Sequence, residues 1–149
     1  MNKKHAIPGA VLALGVMAAC GEDSGDGGDG SQSPQERTAV LKISEHDWNG
    51  WDEDYESEIL VSTHEVKEGD TVSAQISFRG PFEITVDKIY DSSVALSFNL
   101  ELAPPGENSG WEYNDLVDSL VVQQGETSGV ATPSYDAGAI YNFEVEILN

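Results

Sequence analysis

Cysteine is almost missing from this sequence: Cys20 is the only one in 149 residues. No disulfide can form within the chain, so a folded part must rest on its hydrophobic core. Basic residues are scarce too. Seven Lys and Arg face 27 Asp and Glu, a formal charge of −20. That excludes a nucleic-acid partner, which needs a basic stripe against phosphate, and disfavours adsorption to a bare anionic membrane. No window holds helical periodicity for three turns, so long helices are not expected; residues 112–120 allow one short helical turn. Catalytic signatures are also wanting. There is no Gly-x-Ser-x-Gly elbow and no His-Glu-x-x-His pair, and His46 and His64 stand alone. A non-catalytic protein is the expectation.

What is present begins at the amino terminus. Lys3, Lys4 and His5 form a short positive start, and residues 6–19 carry no charge. This apolar run is too short for a resident membrane helix and suits a signal-peptide core. It ends in Met17-Ala18-Ala19-Cys20. That ending resembles the lipobox of bacterial lipoproteins, with Met17 where an aliphatic residue is usual. The resemblance implies cleavage after Ala19, a lipid on the Cys20 thiol and an extracytoplasmic, membrane-anchored protein. A lipid contributes about 0.8 kcal/mol per buried CH₂, so two or three acyl chains anchor stably. Losing Lys3 and Lys4 with the leader moves the formal charge from −20 to −22.

Residues 20–37 read as an acidic flexible tether. Gly, Ser and Asp dominate it and apolar side chains are nearly lacking, so it has little to bury.

From 38 to 149 the pattern becomes one of alternation. Val72, Ala74, Ile76 and Phe78 alternate with polar neighbours. Phe82, Ile84 and Val86 do the same, as do Val94 to Leu102 and Tyr141 to Ile147. Weaker strands are expected at 38–44, 58–64, 117–123 and 128–132. Gly, Pro, Asp and Ser clusters punctuate them. Seven or eight short strands in this length predict an all-β antiparallel sandwich. The stretch Asp136, Gly138, Tyr141, Phe143 is similar to the approach to strand F in immunoglobulin domains, with one extra residue before Tyr141 and Phe143 in place of cysteine. That resemblance implies an immunoglobulin-like sandwich and a tyrosine hydroxyl bonded back to the preceding turn.

The segment Glu45–Glu58 is the densest chemical feature, half acidic and carrying Trp48, Trp51 and Tyr55. It is expected to be a solvated loop, with two candidate roles. Asp47, Asn49, Asp52 and Asp54 offer oxygen ligands for calcium, although the EF-hand spacing fails because Asp52 stands where glycine is required. Trp48, Trp51, Trp111 and Tyr113 offer an aromatic platform on which a glycan would stack. The expected function is a lipid-anchored binding or envelope-accessory module with a protein or glycan partner. Its alternatives are a carbohydrate-binding module and a calcium-stabilised adhesive domain.

Overall fold

A computed structural model of the chain describes residues 35–77 and 80–148. The leader, Cys20 and the tether up to residue 34 lie outside the described residues, as do Phe78 and Arg79.

The described part is an all-β sandwich of eight strands: β1 (Thr38–Asn49), β2 (Ile59–Lys67), β3 (Thr71–Ser73), β4 (Glu83–Ile89), β5 (Ser93–Leu102), β6 (Val117–Gln123), β7 (Ser128–Ala131) and β8 (Ala137–Leu148). They form two four-stranded sheets, ordered β2-β1-β8-β7 and β3-β4-β5-β6, with every pairing antiparallel. No helix occurs among the described residues; of 112–120, where a helical turn was expected, 112–116 are irregular and 117–120 belong to β6.

The alternation explains the layers. Ala39, Leu41 and Ile43 on β1 and Ala139, Tyr141, Phe143, Val145 and Ile147 on β8 point inward, and all are buried. Val94, Leu96 and Phe98 on β5 meet them from the other sheet. On β4 the inward positions are Ile84 and Val86 but then Ile89. A register shift between Val86 and Lys88 inserts the extra residue that moves the phase. Aromatic rings join the two sheets: Phe82 lies 4.4 Å from Tyr141 and 5.5 Å from Phe98, and Phe98 lies 5.6 Å from Phe143. Such pairs contribute beyond their buried area.

Connection order separates this sandwich from the Greek-key order of immunoglobulin domains. Within each sheet, chain neighbours pair directly, and the first and last strands pair with each other. The likeness to that class is one of architecture, two antiparallel sheets face to face. The expected tyrosine corner is not formed. Tyr141 donates its hydroxyl hydrogen 2.8 Å to the carbonyl of Ile76, across the sandwich, not to its own preceding turn.

Because all strands run antiparallel, the chain reverses at two ends. The chain enters at Thr38, beside Leu148. This entry end holds the turns at 68–70, 90–92 and 124–127. Gly69 and Gly125, at φ 89° and 82°, let the chain cross between sheets in tight turns there. The opposite, distal end holds the longer segments 50–58, 74–82, 103–116 and 132–136. Twelve-residue strands such as β1 separate the two ends by about 40 Å. A hydrogen-bonded pair between Ala103 and Ala131, at 2.8 and 2.9 Å, joins the sheets near the distal end.

Candidate functional site

The distal end gathers most of the residues singled out in the sequence, in an arrangement the sequence did not foretell. Strand β1 runs on to Asn49, so Glu45–Asn49 belong to the sheet and only 50–58 form the loop. Glu45, expected in a solvated loop, is fully buried. Its inward position follows the alternation of Leu41 and Ile43. Its carboxylate accepts hydrogen bonds from the backbone N–H groups of Gln75 (2.9 Å) and Ile76 (2.6 Å). Tyr141 is its cross-strand partner. Burial, with the Glu45 carboxylate second, pushes the Tyr141 phenol well above its ordinary pKa. Together Glu45 and Tyr141 fasten residues 75–76 to the other sheet.

Asp47 organises the acidic loop. Its carboxylate accepts from the Tyr55 hydroxyl, from Ser57 Oγ at 3.3 Å and from the Glu58 N–H at 3.2 Å. The Tyr55 bond holds the Asp47 carboxyl below the usual range and raises the Tyr55 phenol. Asn49 Oδ1 accepts from the Trp51 N–H, and Asp52 Oδ1 from the Asp54 N–H, both at 3.0 Å. Asp47, Asn49 and Asp52 therefore turn their oxygens onto their own loop. Calcium requires six to eight oxygens at about 2.3–2.6 Å around one point. Among the described residues no group of three or more His, Cys, Asp or Glu side chains is placed to hold a metal ion.

The tryptophans divide. Trp48 pairs with Gly138 on β8, and its indole covers that glycine so closely that a Cβ there would collide with the ring and with Thr132 Oγ1. Trp111 lies over Gly129 on β7, next to Asn142. Both are half-buried parts of the sheet's outer face. Trp51 is 78 % exposed at the distal loop. Of the aromatics offered as a platform, Trp48 and Trp111 pack against glycines, and Trp51 stands in solvent. Tyr113 does meet an aromatic partner, Tyr135, with ring centroids 4.5 Å apart. Tyr135 is 79 % exposed and was not singled out from sequence. Its neighbour Asp136 accepts a hydrogen bond of 2.6 Å from the Gly50 N–H, which brings the 132–136 segment against the start of the acidic loop. The signal that would have found Tyr135 is its place in the β7–β8 connection, facing the same end as Trp51.

A hollow of about 150 Å³ also opens here, walled by Leu100, Leu102, Leu116, Pro133 and Tyr141. His46 and His64 both lie on strands, with His64 Nε2 3.1 Å from Ser62 Oγ. Segments 50–58, 103–116 and 132–136 together carry nine acidic residues and no Lys, Arg or His. Described bases sit elsewhere, in ion pairs: Arg37–Asp91 at 2.6 Å, Lys67–Glu36 at 3.0 Å and Lys88–Glu68 at 4.0 Å at the entry end, and Lys42–Glu144 at 2.9 Å along the sheet.

Comparison of the chain with protein-family models, with curated proteins and with solved structures gave no match.

Proposed function

We propose that this chain is a lipid-anchored, extracytoplasmic envelope protein that acts as a non-catalytic binding module through the distal end of its sandwich. The leader and Met17-Ala18-Ala19-Cys20 support the address. One observation carries the binding part: the chain enters the domain at one end, and the long loops with exposed Trp51 and Tyr135 stand at the other. In sequence, the residues leading from Cys20 join the domain at the entry end, opposite these loops. Exposed large aromatics cost solubility, and the two most exposed, Trp51 and Tyr135, both stand at the distal end, which marks it as a contact surface. Segments 50–58, 103–116 and 132–136 carry no base, which argues against nucleic acid as the partner.

The carbohydrate-binding alternative keeps less support, because Trp48 and Trp111 are committed to covering glycines. The calcium alternative has less support, because Asp47, Asn49 and Asp52 spend side-chain oxygens on hydrogen bonds within their own loop.

Two measurements test the proposal. Metabolic labelling with a tagged palmitate should mark the chain and should fail in Cys20→Ser, which should also leave the membrane fraction. Labelling or membrane retention that persists in Cys20→Ser would remove the anchor. The binding part is tested by Trp51→Ala and Tyr135→Ala. Both should leave the melting temperature within about 1–2 °C of wild type, since exposed rings support little structure. Both should reduce retention of whichever ligand the protein holds at the envelope. A loss of stability instead would make these rings structural.

A further inference from the structure

The hollow between the sheets at the distal end identifies the kind of partner. Its walls come from four places: Leu100 and Leu102 of β5, Leu116 ahead of β6, Pro133 of the β7–β8 connection, and Tyr141 of β8. At about 150 Å³ it falls short of the 300–1,000 Å³ typical of pockets for drug-sized molecules. It has room for about one apolar side chain. The walls are held in place: the Ala103–Ala131 pair ties the start of the β5–β6 connection to β7, and the Tyr141 hydroxyl is bonded to the Ile76 carbonyl. A partner side chain would enter a formed site without ordering it first.

The rim has one sign of charge. Glu101 lines the hollow, and Asp115 adjoins Leu116; both are exposed. Tyr135, two residues from Pro133, is exposed, its ring tilted against that of Tyr113. No Lys, Arg or His follows Lys88 in the chain, so every wall and rim residue comes from a stretch whose charged side chains are all acidic. An anionic ligand meets repulsion from Glu101 and Asp115. A cationic one is steered in, and an arginine guanidinium can lie over the Tyr135 ring while pairing with a carboxylate.

We infer that the distal end docks an extended polypeptide segment of a partner protein, one apolar side chain filling the hollow and flanking Lys or Arg residues meeting Glu101, Asp115 and Tyr135. The inference rests on the reading of the distal end as the binding end. Charge complementarity selects this occupant over a neutral glycan, which would make no use of a single-signed rim. The chain's own tether cannot serve, because residues 21–34 carry no large apolar side chain and no base.

The test uses the full-length chain and fluorescein-labelled peptide pools read by fluorescence polarisation. One pool has a central Leu or Phe flanked by Arg at two and three positions on either side. A second replaces the central residue by Ser, and a third replaces Arg by Asp. The first pool should bind, the second at least tenfold more weakly, and the third not at all. Raising salt from 50 to 300 mM should weaken the first by about tenfold, because exposed charge pairs are screened. The double substitution Glu101→Lys with Asp115→Lys, at exposed positions that leave the fold intact, should cost at least tenfold. Tyr135→Ala should cost about threefold or more. No binding of the first pool at 1 mM, or equal binding of the Asp pool, overturns the inference. So does a polysaccharide panel that shifts tryptophan fluorescence in wild type but not in Trp51→Ala, in the absence of peptide binding; that result leaves the distal-end reading standing. Peptide binding indifferent to both the charge reversal and Tyr135→Ala overturns both, since the contact then lies elsewhere.

Discussion

The two ends of the sandwich are made by the same eight strands yet solve chain reversal differently. At the entry end the turns are tight, glycines take positive φ, and the bases Arg37, Lys67 and Lys88 are matched with acids. At the distal end the segments are longer, the described charges are of one sign, and Trp51 and Tyr135 stand in solvent. Tight turns minimise the ordering cost of closing a strand pair, so the entry end is built for economy of fold. Long, acidic, ring-bearing loops do nothing for folding that shorter ones would not do better, and such loops on a rigid scaffold are where binding concentrates. Yet the distal end is not loose. Glu45, inside the core, fastens 75–76 by two backbone hydrogen bonds.

That contrast makes Glu45 the first place to press. Glu45→Ala leaves two N–H groups without their acceptor and removes bonds to a charged group. The expected loss is about 3–5 kcal/mol, measured by urea denaturation. Glu45→Gln keeps one acceptor oxygen and should lose roughly half as much. A loss below about 1 kcal/mol in the alanine variant would mean that the 74–77 segment takes its hydrogen bonds from water. The distal end would then be loose after all.

Next in size is Gly138→Ala. An added methyl runs into the Trp48 ring and Thr132 Oγ1, and Thr132 Oγ1 also accepts from the Ala139 N–H at 3.0 Å. Overpacking of this kind costs about 1–3 kcal/mol. The indole must tilt, so the fluorescence maximum should move to longer wavelength. A stable variant with unmoved fluorescence would show that Trp48 is free to act as a ligand platform, restoring the glycan reading.

These two residues also mark what the sequence disclosed and what it hid. The alternation of apolar side chains was enough for an all-β sandwich, because period-2 burial is a local property. The strands expected at 117–123 and 128–132 stand at 117–123 and 128–131. Where a buried position is polar, the same reasoning failed. Glu45 continues the inward phase of Leu41 and Ile43, but as a carboxylate among other acids it read as loop. Its two N–H donors lie 30 and 31 residues away, a pairing no local pattern reveals. β3 misled in the opposite sense. Val72, Ala74 and Ile76 alternate well, yet the strand stops at Ser73, because residues 75 and 76 spend their N–H groups on Glu45 and not on a ladder. At the site, Trp51 and Tyr113 were legible as loop aromatics. The packed state of Trp48 and Trp111 depends on Gly138 and Gly129 lying opposite, which is a matter of register. The hollow was not legible at all, since its walls converge from two strands and two connections.

Tyr141 gives a third test, in pH. Its phenol is raised in the folded state, mainly by burial, above the ordinary value of 10.0. Below pH 10 both folded and unfolded chains hold this proton, and the stabilisation is fully present. Above pH 10 the unfolded chain releases it while the folded chain keeps it, so stability falls as pH rises towards the folded value. The slope from this group approaches about 1.4 kcal/mol per pH unit. Tyr141→Phe should flatten that alkaline slope while costing about 1 kcal/mol at neutral pH for the lost bond to Ile76. An unchanged slope in the variant would assign the alkaline transition to another phenol, with Tyr55 the next to examine because the Asp47 bond raises it too.

The smallest effect separates the two ends most cleanly, because its sign differs between them. The Arg37–Asp91 pair is exposed, with side chains 45 % and 90 % accessible, and such pairs contribute little. Arg37→Ala should lower the melting temperature by no more than about 1–2 °C in low salt, and by less in 0.5 M NaCl, where the lost attraction is already screened. Glu53, in the distal loop, belongs to a segment whose charges are all acidic. Glu53→Gln removes repulsion and should raise the melting temperature by a similar small amount in low salt, with the gain again vanishing in 0.5 M NaCl. Opposite signs that converge on zero with salt are what a matched end and an unmatched end require. Equal signs would mean that the distal acids have found partners, and that the surplus of negative charge offered to a basic partner is smaller than the sequence count suggests.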